Sequence, residues 1–368
     1  MNNFYDEQKA QSNIKTKIVT DYFDVWFNIL KKHADRLFYA DFFCGPGTFK
    51  NGSKSTPIII LEKVVANEDM CTKVVTFFND KNPKYIGELK KQIKQINNIE
   101  ELKYRPIIEN TEINSDISKR FTNTDLIPTF SFLDPWGYKG LSLKLVKSLI
   151  KDWGSECILF FNYNRISVAI KNKTVENHII SIFGKENFIK ISEEYDGLSP
   201  HNRECQIVKI FTDALRNHGG EYVLPFRFQL ESQDRTSHYL FYVTKHPLGY
   251  KIMKDIMAKY STNCPQGVPS YEFNPNLAQQ PYLPNIETPL DDLSEQLLDK
   301  FSGETLSMRE IFNKHHVNKR YRKKNYKDAL CKLELDGRIK GTPPITERKK
   351  ISNKPTCSDF VIFEFPKG

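Results

Sequence analysis

Apolar positions along the chain alternate between two periods. Ile18, Tyr22, Val25, Trp26, Ile29 and Leu30 recur at intervals of three and four with Lys and Asp between them, which predicts an amphipathic helix over 15–33. The next run, "LFYADFF" (37–43), is short and almost wholly apolar, the mark of a buried strand. Helices and strands then alternate: a helix at 55–67 with Pro57 in its first turn, a strand at 73–80, a helix at 83–96, a strand at 104–110, a helix at 114–122, a strand at 128–134, a helix at 142–153 with Ser142 as its N-cap, and a strand at 156–164. Residues 165–218 read as helical, 221–230 and 237–246 as strands, and 247–261 as a helix.

Alternating strands and helices predict an α/β fold with a parallel sheet covered by helices on both faces. The last two strands are too close in sequence for a parallel crossover and must pair as an antiparallel hairpin. Parallel strands closed by one terminal hairpin give a Rossmann-like sheet of the kind expected of class I methyltransferases, not of dehydrogenases. This pattern assigns residues 1–261 to one domain. Residues 262–288, rich in Pro, Asn and Gln with little periodicity, read as a linker or strap. Residues 289–368 contain three helical patterns, stopping near Gly303, His315 and Gly337, then two strands around a basic loop. That is a winged helix-turn-helix. Lys319, Arg320, Arg322, Lys323, Lys324 and Lys327 fall at the start of the third helix, where such a fold presents its recognition element.

Composition narrows the classes. The 368 residues are 39% hydrophobic and 12% aromatic, enough for sizeable cores. No apolar run approaches the roughly 18 residues of a membrane span, and the polar start "MNNFYDEQKA" does not read as a secretory signal, so a cytoplasmic location is expected. The seven cysteines are odd in number, scattered, and never at C-x-x-C spacing, which argues against a disulfide framework and against a metal cage. The net charge of +9 permits nucleic-acid binding without requiring it.

Two strand ends carry the candidate chemistry. In an open parallel sheet, ligands bind beyond the carboxyl ends of the strands. The first strand ends at "DFFCGPG", where Gly45 and Gly47 permit close backbone approach and Pro46 stiffens the turn. The dinucleotide fingerprint is incomplete, with Lys50 at its third glycine position, and 48–54 is polar and loop-like. S-adenosylmethionine, which carries no phosphate, fits this corner better. Asp41 and the backbone of Phe43, Cys44, Gly45, Pro46 and Gly47 would receive its amino-acid end. Asp80, ending the second strand, would take the ribose hydroxyls, or alternatively cap the helix near Pro83. Asn110, ending the third, would meet the adenine edge.

The fourth strand ends at Asp134-Pro135-Trp136-Gly137, which looks like the (Asp/Asn)-Pro-Pro-aromatic corner of amino-methyltransferases, with the aromatic in place of the second proline. An exocyclic base amine is a poor nucleophile because its lone pair is conjugated into the ring. Hydrogen bonds from its N–H groups to the Asp134 carboxylate and the Pro135 carbonyl would restore electron density, and Trp136 would stack on the base. Asn162 and Asn164, in "FNYN", are further amide candidates. The competing readings are an Asp–Pro turn with a core tryptophan, and asparagines that only bond their own turns.

"YADFFCGPGTFKNGSKSTP", "FLDPWG" and the helix "DYFDVWFNIL" together resemble the three-Cys-motif partner proteins, a bacterial family with a class I methyltransferase-like fold. The resemblance covers roughly residues 14–260. It implies S-adenosylmethionine as cofactor, and a partner that has three clustered cysteines and resembles a radical S-adenosylmethionine enzyme. This chain departs from the family pattern at Cys44 and at Lys54-Ser55-Thr56-Pro57. The expected function is methyl transfer to nucleic acid, DNA or RNA. The alternatives are a non-catalytic or partner-dependent specificity subunit of a bacterial defence or modification system, and a winged-helix regulator with a ligand-sensing domain.

Overall fold

In the computed structural model the described residues are 10–230, 235–277, 288–351 and 354–367. The chain divides into two compact units: one runs through Tyr260 and includes Phe273–Pro275, the other comprises Ser261–Glu272 and the chain from Asn276 on.

The first unit is built on one sheet. Its strands are β1 (Leu37–Asp41), β2 (Val74–Asn79), β3 (Ile107–Glu109), β4 (Thr129–Leu133), β5 (Glu156–Phe161), β6 (Tyr222–Gln229) and β7 (Thr236–Thr244), in the order β3-β2-β1-β4-β5-β7-β6, with β8 (Glu272–Phe273) beyond β6. All pairings from β3 to β5 are parallel. β7 runs antiparallel to both β5 and β6. The sequence therefore anticipated both the parallel core and the closing hairpin, and the strand order is that of the class I methyltransferase sheet. The turn of that hairpin, 231–234, and the chain start, 1–9, lie outside the described residues.

Both faces of the sheet are apolar because both are covered. Tyr39 and Phe130 point to α1 (Ala10–Leu30), where they meet Phe23 and Trp26. Their strand neighbours Ala40, Leu133, Leu159 and Phe161 point the other way, into a core shared with the helices that follow β3 and β4 and with those that follow β5. The remaining helices are α2 (Thr56–Val65), α3 (Glu68–Lys73), α4 (Pro83–Ile93), α5 (Ser115–Asn123), α6 (Leu143–Ile150, capped by Ser142 as expected), α7 (Tyr163–Ala169), α8 (Glu176–Phe183), α9 (Lys185–Glu194), α10 (Pro200–Asn217) and α11 (Pro247–Lys259).

Several boundaries moved. The first strand stops at Asp41, not residue 43, because the chain turns there. The fifth stops at Phe161. Asn162, expected inside that strand, has its side chain accepting from Arg165 N–H and starts α7. The helical stretch 165–218 is broken into four by Asn172, Gly184 and the Ser199-Pro200 cap.

The second unit contains α12 (Pro289–Lys300), β9 (Thr305–Ser307), α13 (Met308–His315), α14 (Lys323–Leu335), β10 (Lys340–Thr342), the short pair β11 (Lys350–Ile351) and β12 (Lys354–Pro355), and β13 (Ile362–Glu364). β13 lies between β10 and β9, both antiparallel to it. Three helices, a small sheet and a two-stranded wing form the winged helix. The strand at β9 was not expected. Lys319, Arg320 and Arg322 precede α14 instead of lying on it, since Arg322 is its N-cap. The expected linker contains a further turn at Pro265–Gly267, and its residues 278–287 lie outside the described residues. Among the described residues, no helix is long and apolar enough to cross a membrane.

Candidate functional site

The strand order reverses between β1 and β4, and the loops that leave the carboxyl ends there build the candidate site. At the first corner the chain folds inward. Asp41 is 1% exposed, and its Oδ1 accepts the Phe43 N–H at 3.1 Å. Burial pushes its carboxyl well above the ordinary carboxylate range, against the pull of the Phe43 amide, and nearby Asp134 and Asp80 add to the rise. Cys44 donates its N–H to the Asn79 carbonyl at 2.9 Å. Gly45 (φ 65°) donates to Asp80 Oδ2 at 3.1 Å, and Asn82 donates to the other Asp80 oxygen at 2.8 Å. Burial raises the Asp80 carboxyl, and these two amides hold it down. The α4 cap is Asn82, which accepts from Lys84 N–H, so Asp80 is not the cap.

Gly47 (φ 87°) serves packing. A Cβ there would lie 2.9 Å from Leu89 Cδ1 and 3.1 Å from Ile58 Cγ1, so only a glycine lets the loop settle between α2 and α4. Asn79, buried and passed over in the sequence in favour of its neighbour, joins three strand ends. Its Nδ2 donates to the carbonyls of Phe42 (3.2 Å) and Thr111 (2.9 Å), and its Oδ1 accepts from Thr111 N–H (3.0 Å). Asn110 donates to the Asp80 carbonyl at 2.7 Å.

A cleft of about 450 Å³ opens over these ends. Its walls are Phe42, Phe43, Asn79, Asp80, Lys81, Asn82 and Tyr85 on one side, Thr111–Ile113 beyond β3, and Trp136–Gly140 with Arg165 on the other. Of the residues expected to bind cofactor or act in catalysis, Phe43, Asp80 and Trp136 line it. Asp41, Cys44, Gly45, Pro46, Gly47, Asn110, Asp134, Pro135 and Asn162 stand behind or beside the walls. Gly140 (φ 86°) lets the second corner close over the first, since a Cβ there would fall 2.9 Å from Phe43 Cζ.

At the second corner Trp136 is 44% exposed, so the core-tryptophan alternative does not hold. Its carbonyl accepts from Asn162 Nδ2 at 3.3 Å, which ties the β4 and β5 ends together while Asn162 also caps α7. The reading of Asn162 as a turn former therefore describes the bonds it makes here. Asp134 is not an isolated carboxylate. Its Oδ2 pairs with Lys15 Nζ from α1, and that ammonium also lies 4.7 Å from the Phe160 ring centre. The sequence held a signal for Lys15. It falls in register with Ile18, Tyr22 and Trp26, on the stripe where an apolar residue belongs.

In the second unit, Lys323 and Lys327 on α14 both reach Asp359, Lys327 at 3.5 Å, and Arg309 of α13 approaches it at 3.9 Å. Lys319 donates to Gln296 at 3.0 Å. Arg320 and Lys324 are exposed.

Residues 272–345 match the family model described as a GMT-like wHTH domain. Solved structures similar to the chain include protein LPL1258 from Legionella pneumophila (9% identity, covering 67% of this chain and 91% of that one, TM-score 0.38) and the methyltransferase domain of bacterial CtHen1 (12%, 63% and 100%, 0.33). A third is the plantazolicin methyltransferase BamL, solved with a triazolic desmethylPZN analog and SAH (13%, 66% and 88%, 0.32). Among curated proteins nothing matches the chain. At these scores the fold assignment rests on the strand order itself.

Proposed function

We propose that the first unit binds S-adenosylmethionine and transfers its methyl group to an exocyclic amine of a nucleic-acid base, with the winged helix engaging the nucleic acid. The supporting observation is one cleft, at the point where the strand order reverses, that has a buried acid from the end of β2 on one wall and an exposed tryptophan from the end of β4 on the other.

The residues fit the nucleoside half of such a cofactor. The cleft lies within the roughly 300–1,000 Å³ of small-molecule sites. Asp80 keeps lone pairs on both oxygens after accepting two amides, and Phe43 and Tyr85 offer aromatic walls. The fit is poorer for the amino-acid end, because Asp41 is 1% exposed, does not line the cleft, and already accepts the Phe43 N–H. When bound, the cofactor supplies a methyl group on a sulfonium, and its carbon–sulfur bond breaks as the new carbon–nitrogen bond forms. Trp136 would stack on the acceptor base, and Asp134 and the Pro135 carbonyl would accept its N–H groups and draw off the proton released. A base within a duplex would first have to be flipped out.

The test is calorimetric titration of the purified protein with S-adenosylmethionine, beside Asp80→Ala and Trp136→Ala, followed by transfer of labelled methyl to DNA and RNA pools. Binding lost in Asp80→Ala and transfer lost in Trp136→Ala are expected. No binding by the intact protein would sink the reading.

The burial of Asp41 and the packed Gly47 loop favour a second reading, a partner-dependent subunit whose cofactor site opens on assembly. The resemblance to three-Cys-motif partner proteins names the companion to try, a radical S-adenosylmethionine-like protein with three clustered cysteines. On this reading transfer starts only when that protein is added.

A further inference from the structure

Lys15 occupies the buried side of α1, and the residue is 5% exposed. Replacing a buried ion pair by apolar side chains of like volume is often neutral or stabilising, so stability alone does not account for the pair with Asp134. The pair also stands at the carboxyl end of β4, two residues before the tryptophan that lines the cleft.

We propose that Lys15 is a positioning residue for methyl transfer: it supplies the counter-charge of Asp134 and fixes the carboxylate through Oδ2, leaving Oδ1 to accept an N–H of the substrate amine. This rests on the methyl-transfer reading above. The groups around the pair come from several elements. Asp41 and Tyr39 on β1 face the pair with ionisable oxygens. His238 on β7 lies tilted against Phe160, ring centres 4.4 Å apart, and feels the Lys15 charge. Burial pushes its imidazole well below 6.5, so it adds no positive charge at neutral pH. Without Lys15 the Asp134 carboxylate would lose its counter-charge and its fixed direction.

Lys15→Gln and Lys15→Arg, made in the full-length protein and checked by circular dichroism, test this in two ways. The first is the kcat and KM of labelled-methyl transfer to whichever nucleic-acid pool the wild type modifies. Lys15→Gln should lower kcat at pH 7 about 100-fold, as small misplacements of a reacting group do, and leave the KM for S-adenosylmethionine near wild type. Lys15→Arg should recover most of the rate. A loss confined to KM, or no loss, overturns the proposal. The second readout is carboxyl-labelled aspartate NMR, with the Asp134 signal identified by its absence in Asp134→Asn. At pH 7 that signal should shift in Lys15→Gln and stay near wild type in Lys15→Arg; an unmoved signal overturns the proposal whether or not methyl transfer is found. A shifted signal where the wild type transfers no methyl group would instead remove the methyl-transfer reading and keep the pairing of Lys15 with Asp134.

Discussion

Replacing Asp80 with Asn changes one oxygen into a nitrogen, and two amides make that change costly. Gly45 N–H and Asn82 N–H converge on the two carboxylate oxygens at 3.1 and 2.8 Å. An asparagine offers one acceptor and one donor to that pair of donors, so one amide loses its partner in a residue that is 8% exposed. An orphaned buried donor costs about 1–3 kcal/mol, which amounts to a roughly 5- to 150-fold larger open population. Peptide-level hydrogen–deuterium exchange reads this directly: segments covering Gly45 or Asn82 should exchange faster by that factor, while β4 and β5 stay unchanged. S-adenosylmethionine should bind about 10- to 100-fold more weakly, as for a lost hydrogen bond to a charged group. Wild-type exchange across 42–49 and 81–84 would refute the idea that Asp80 holds the glycine loop. Wild-type affinity alongside altered exchange would refute its role as a ligand contact and leave the structural one.

Gly140→Ala should lower the melting temperature by about 2–12 °C, for roughly 1–3 kcal/mol of overpacking against Phe43, and weaken S-adenosylmethionine binding in calorimetry. Asp41→Asn should stabilise the protein at neutral pH. Because burial raises the folded-state carboxyl above its ordinary 3.8, the native state binds that proton more tightly, and the stability it contributes is lost as pH rises from about 3.8 through the raised value. Chemical denaturation across that range should show a shallower fall in the variant; parallel curves would contradict it. Asp359→Asn should release Lys323 and Lys327, tighten nucleic-acid binding, and steepen its salt dependence by up to about 0.9 per phosphate newly contacted. An unchanged salt slope in fluorescence anisotropy would exclude that face of α14.

The sheet was legible because it is buried on both faces, so strands such as 74–79 and 156–161 appear as mostly apolar runs, VVTFFN and ECILFF, without the alternation of a half-exposed strand. The hairpin followed from a connection too short to cross over. The candidate site was legible at Asp80 and Trp136, whose strand-end positions alone bring them to one cleft. Asp41 was not, because whether a carboxyl at a strand end faces solvent or is buried depends on how the following loop folds, and here that loop turns back so that the Phe43 N–H bonds Asp41 Oδ1. Lys15 and Asn79 were missed for a related reason: each acts through partners more than 30 residues away in sequence, Lys15 on Asp134 and Asn79 on Thr111. In the winged helix the basic run was visible, while its neutralisation by Asp359 came from a residue 36 positions beyond Lys323.

The side chain of Asn79 imitates a peptide group. Its amide gives and takes the Thr111 backbone bonds as a neighbouring strand would, and reaches the Phe42 carbonyl as well. It thus adds one rung to the sheet past the place where the ladder stops. The lips of the cleft are thereby preorganised: a ligand arriving there finds three strand ends already fixed to one another, and its affinity is not spent on ordering them. An Asn79→Ala protein would keep every cleft-facing group except that one and still bind more weakly, with the loss appearing as a less favourable binding entropy.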